Sequence, residues 1–75
     1  MSDFKHEERL SRQRAAERLI DIAYGLTAGG PLELSAGGRR IAVPVDDELL
    51  LERELRSTRE RVTLELEISW PAAST

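Results

Sequence analysis

Two rhythms of apolar residues meet at Pro31. From Arg12 to Thr27, Ala15, Ala16, Leu19, Ile20, Ile22, Ala23 and Leu26 recur at the 3.6-residue spacing of a helix, with Arg14, Glu17, Arg18 and Asp21 opposite. Ser11 stands where an N-cap hydroxyl accepts an unpaired amide, and Gly29-Gly30-Pro31 supplies a left-handed stop followed by a residue that cannot resume the helix. The polar face adds little. Arg14/Glu17 and Arg18/Asp21 attract at a spacing of three, while Arg14/Arg18 and Glu17/Asp21 repel at four. Packing must therefore hold this helix in place.

After Pro31 the period falls to two. Leu32 and Leu34 alternate with Glu33 and Ser35, and Ile41, Val43 and Val45 alternate with polar or small neighbours. Between them Ala36-Gly37-Gly38-Arg39 has the paired glycines of a tight hairpin turn. Pro44 cannot donate to a ladder, so it marks a strand end or an exposed edge, and Asp46-Asp47 continues the break as a loop. A third strand follows on Leu49, Leu51 and Leu55, with Arg53 interrupting the apolar face and Leu50 on the other face. Polar Ser57 to Glu60 connects it to the cleanest pattern in the chain, Val62, Leu64, Leu66, Ile68 and Trp70 on one side against Arg61, Thr63, Glu65, Glu67 and Ser69. Before the helix, Phe4, His6, Glu8 and Leu10 alternate with Lys5, Glu7 and Arg9. This predicts a first strand over Asp3 to Leu10, with the charges on both faces suited to an edge.

The expectation is an α+β domain of order β-α-β-β-β-β. The helix lies on one face of a mostly antiparallel sheet, and the last four strands form a meander. Residues 1–75 form one domain, ordered over about 4–70, with 71–75 a loose tail. A chain this short buries only ~60% of its unfolded surface, so a second copy or a partner has room to add stability.

Phe4-Lys5-His6-Glu7-Glu8, Leu10-Ser11-Arg12, Ala15-Ala16-Glu17-Arg18-Leu19, Leu32-Glu33-Leu34 and the closing Ile68-Ser69-Trp70 together resemble the amphi-Trp domain family of small bacterial and archaeal proteins. The resemblance runs from Phe4 to Trp70. It departs at Arg14, where similar sequences carry an acid that completes a capping box with Ser11. It implies no reaction, cofactor or catalytic residue.

The remaining chemistry is sparse. With no cysteine there is no disulfide, thiolate metal site or thiol nucleophile, which suits a cytoplasmic protein. No stretch reaches the ~20 apolar residues of a membrane span, and no signal-peptide run stands at the N-terminus, so a cytoplasmic chain without membrane partners is expected. Net charge is −3, with residues 1–31 balanced and the acidity in residues 32–75. Affinity for phosphate backbones is therefore not expected beyond a weak patch from Arg39, Arg40, Arg56, Arg59 and Arg61, which lacks interleaved aromatics.

His6 is the one histidine, able to meet Glu8 on a strand face but without the further ligands a metal needs; a solvated or packing role is expected of it. No serine sits in a nucleophile elbow, and neither glycine pair has the lysine or third glycine of a phosphate loop or dinucleotide fingerprint. The same-face carboxylates Glu52/Glu54 and Glu65/Glu67 are expected to be solvated. Catalytic residues, metal ligands and cofactors are accordingly expected to be none. A non-catalytic interaction or accessory module remains, self-associating or docked on another protein, with Trp70, Tyr24 and Pro44 as partner-binding candidates. Trp70 reads first as a core residue and second as an interface anchor. The alternative is a small-molecule or ion binder with a pocket between helix and sheet near Tyr24 and Trp70.

Overall fold

A computed structural model describes residues 4–72. The fold is α+β: helix α1 spans Arg12–Ala28, and four strands follow, β1 Leu32–Ala36, β2 Arg39–Val43, β3 Leu50–Ser57 and β4 Val62–Ser69. They pair as two antiparallel two-stranded sheets, β1 with β2 and β3 with β4. The chain divides into two compact units, one ending at Val45 and one beginning at Asp46.

In the first unit the helix begins as its sequence requires. Ser11 is extended at φ −65°, ψ 162°, and its Oγ accepts the Arg14 amide at 3.1 Å. That satisfies one of the amides a helix start leaves unpaired. The helix ends where Gly29 turns to φ 76°, its amide donating to Leu26 at 3.4 Å. Arg14 and Glu17 pair at 3.7 Å. Arg18 instead donates from Nε and Nη2 to Glu8, while Asp21 acts on it through charge without a direct ion pair.

Helix α1 contacts β1. The closest approach is at Gly25, where an added Cβ would lie 2.7 Å from Leu32 Cδ1. The missing side chain lets Leu32 seat against the helix, and at 6% exposure Leu32 is the buried apolar residue among those described. Its burial is worth about 1.5–3 kcal/mol. Ile22 and Leu26 are partly covered, but Leu19 and Ile20 remain half exposed, so only one edge of the helical stripe is used. The β1–β2 register pairs Leu32 with Val43 and Leu34 with Ile41. Gly37 and Gly38, at φ 58° and 79°, make the two-residue turn, as hairpin turns with both central residues at positive φ require.

In the second unit the register pairs Leu51 with Ile68, Arg53 with Leu66, Leu55 with Leu64 and Ser57 with Val62. Residues directly opposite share a face, so these eight lie on one side, and Glu52, Glu54, Arg56, Thr63, Glu65 and Glu67 on the other. Leu50, opposite Ser69, belongs to the polar side, as its phase in the sequence requires. Thr58 closes the connection: its amide donates to the Arg61 carbonyl at 2.8 Å, and its Oγ1 accepts the Arg61 amide at 3.1 Å.

Two expectations are corrected. No strand forms over residues 4–10, so the order is α-β-β-β-β; Asp3, the first residue of that expected strand, lies outside the described residues. The charges on both faces of the segment leave no apolar side to seat on a sheet, and Glu8 bonds instead to the helix. In place of the expected four-stranded meander the strands form two separate hairpins, β1–β2 and β3–β4, with Pro44, which has no amide to donate, following the end of β2. Of the expected tail, Pro71 and Ala72 are exposed and irregular, and residues 73–75 lie outside the described residues.

Candidate interaction surface

The apolar side of the β3–β4 hairpin dominates the exposed hydrophobic surface. Leu55 and Val62 are each 69% exposed and Leu64 is 64% exposed. Leu51 and Leu66 are at least half exposed on the same side. Ile68 is the partly covered member. This is contiguous aliphatic exposure, as opposed to scattered single residues. Arg53 stands within the row, opposite Leu66, and gives it one cation.

The reverse side has the opposite character. Glu52 faces Glu67 and Glu54 faces Glu65, so two carboxylate pairs sit directly across the strands. Like charges in that position repel. Arg56 relieves part of the repulsion by bonding to Glu65 across the hairpin and lying 3.8 Å from Glu54 on its own strand. Glu54, Arg56 and Glu65 are about half exposed and Glu52 and Glu67 are exposed as well, so their solvation dominates. No group of three or more His, Cys, Asp or Glu that could hold a metal ion occurs among the described residues.

Trp70 lies one residue past β4, half buried, and lines a cleft of about 400 Å³ with Glu48, Leu49, Leu50, Ser69 and Pro71. It thus stands at the end of the apolar row whose alternation it continues. Tyr24 projects from α1 at 70% exposure, and Pro44 follows β2. Tyr24 and Pro44 belong to the first unit and Trp70 to the second. The arginines are divided likewise: Arg39 and Arg40 lie in the first unit, Arg56, Arg59 and Arg61 in the second, and Arg39 stacks over Phe4 at 5.6 Å from the ring centre.

Sequence reasoning missed the link between Glu8 and Arg18. Arg18 Nε donates to Glu8 Oε2 at 3.0 Å and Nη2 to Oε1 at 3.2 Å, a two-point guanidinium–carboxylate pair. His6 Nε2 lies 3.8 Å from Glu8 Oε1. The bonds from Arg18 hold the Glu8 carboxyl below its ordinary pKa, and those same bonds raise that of Arg18. The His6/Glu8 alternation was a legible signal for half of this group. The ten-residue separation of Glu8 from Arg18 gave none.

The family model of the Amphi-Trp domain matches residues 1–75, the whole chain, and the protein belongs to that family. No curated protein and no solved structure gives a match to it.

Proposed function

We propose that this member of the Amphi-Trp family is a non-catalytic protein-interaction module that docks a second copy of itself or another protein on the apolar side of β3–β4. The observation that carries the reading is the exposed aliphatic row from Leu51 and Leu55 to Val62, Leu64 and Leu66. A lone two-stranded hairpin is marginal in water and gains stability when its apolar side is covered. The partner surface that fits is apolar with one carboxylate set against Arg53. Trp70, at the end of the row, suits the role of an aromatic anchor. The absence of cysteine supports a cytoplasmic setting, and the family resemblance a bacterial or archaeal one.

Light scattering across micromolar concentrations, combined with affinity capture from the source cells, tests this reading. The expected result is a concentration-dependent dimer or a reproducible captured protein, either one lost in Leu64→Lys. A chain that stays monomeric throughout, with a captured set indifferent to Leu64→Lys, overturns it.

A further inference from the structure

The seam between α1 and β1 is a wedge. At its narrow end Gly25 admits Leu32 to the helix surface. Toward the other end the helix presents Arg18 and Asp21, long or charged residues in place of glycine, and the strand presents Leu34 and Ala36 on the same side as Leu32. The seam opens there into a cavity of about 540 Å³ that also takes Phe4, His6 and Glu8 into its lining. That volume lies within the ~300–1,000 Å³ of small-ligand sites, which combine apolar walls with a few converging polar groups.

Phe4, Leu34 and Ala36 supply the apolar part. Among the charged groups Arg18 already faces a counter-charge, its Nε–Nη2 edge being given to the Glu8 carboxylate. Asp21 is different. It lines the same cavity, one helical turn beyond Arg18, and makes no hydrogen bond or ion pair among the described residues. Among the described lining residues Glu8 and Asp21 stand against Arg18, one carboxylate in excess, and Asp21 is the carboxylate that Arg18 does not bond.

We propose that this cavity binds a small organic ammonium, its cationic nitrogen on the Asp21 carboxylate and its hydrocarbon part against Phe4, Leu34 and Ala36. Among the lining residues the one cation an anion of the same shape meets is the Arg18 guanidinium, already engaged by Glu8, so the lining favours the ammonium. Recognition needs both halves, since an exposed carboxylate alone holds an ammonium weakly in water. This assignment is independent of the apolar hairpin surface and uses none of its residues.

Phenethylammonium titrated into the isotope-labelled chain tests it by amide chemical shifts, with 2-phenylethanol and phenylacetate as neutral and anionic controls. The expected result is saturable shifts at Asp21, Leu34, Ala36 and Gly37 for the ammonium and none for either control. Asp21→Asn should weaken the ammonium at least tenfold. This variant stands on the polar side of the helix, so an unchanged helical circular-dichroism spectrum confirms that the fold is kept. Ala36→Leu should abolish binding by filling the floor. Leu64→Lys should leave the titration unaltered, which separates this site from the docking surface. Equal shifts with all three compounds, no saturation at those residues, or an Asp21→Asn titration identical to that of the parent chain overturns the proposal.

Discussion

The hairpins β1–β2 and β3–β4 share a period-two rhythm, yet their apolar sides meet different fates. In the shorter one Leu32 is 6% exposed against α1, whereas in the longer one Leu64 is 64% exposed despite a cleaner alternation. Strand pattern therefore sets which side is apolar, but burial depends on whether a neighbour can approach. For Leu32 that approach rests on the absence of a side chain at Gly25. The longer hairpin is held by local features, its ladder and the Thr58 turn, and its leucines contribute little until something covers them.

The largest test of this contrast is a pair of truncations. Leu32→Ala should lower unfolding stability by about 2–4 kcal/mol, the range for removing a packed leucine. Leu64→Ala should cost under about 0.5 kcal/mol, as exposed substitutions do. Urea denaturation at concentrations where the chain is monomeric measures both. Equal costs would break the comparison, because they would mean that Leu64 is covered in solution.

Much of this was legible in the residues, and the reason differs by element. The helix limits follow from Ser11 and Gly29, whose capping geometry is local, and the two hairpins follow from Gly37-Gly38 and the alternation around Thr58. Pairing across Pro44 to Glu48 was not legible, since no turn chemistry there fixes a register between β2 and β3. The segment from Phe4 to Leu10 was misread because its alternation is carried partly by His6 and Glu8. A charged residue satisfies a strand rhythm as well as an ion pair with a distant helix. The apolar row of β3–β4 was visible as a pattern, but its exposure was not, because periodicity names a side without naming its cover.

A middle-sized effect sharpens the comparison by touching one unit alone. Ser11→Ala removes the hydroxyl that accepts the Arg14 amide, and no acid stands at position 14 to reach back and compensate. The expected loss is about 1 kcal/mol. Amide exchange should register it across α1 and β1 while protection in β3–β4 is unchanged. Equal loss of protection in both hairpins would show that the two units unfold as one, and the contrast between them would then describe packing but not stability.

The smallest effect concerns the clip that ties the N-terminal segment to α1. Glu8→Gln keeps the size of the side chain and removes the charge that Arg18 grips through two hydrogen bonds. Because Arg18 holds the Glu8 pKa below its ordinary value in the folded chain, the charged pair contributes stability above the usual carboxylate range. That contribution is lost as pH falls through the lowered folded value. Wild type should thus exceed Glu8→Gln at neutral pH, and the two should converge in acid. The gap should be small and shrink with salt, since both partners are substantially exposed and Asp21 and Glu17 also act on Arg18. His6, at 3.8 Å from Glu8, adds attraction when protonated, so His6→Gln in the same background separates its share. Thermal melts from acid to neutral pH read the difference directly. The absence of any gap at neutral pH would show that Glu8 acts through its shape, which Gln keeps, and the clip would then be packing in place of charge.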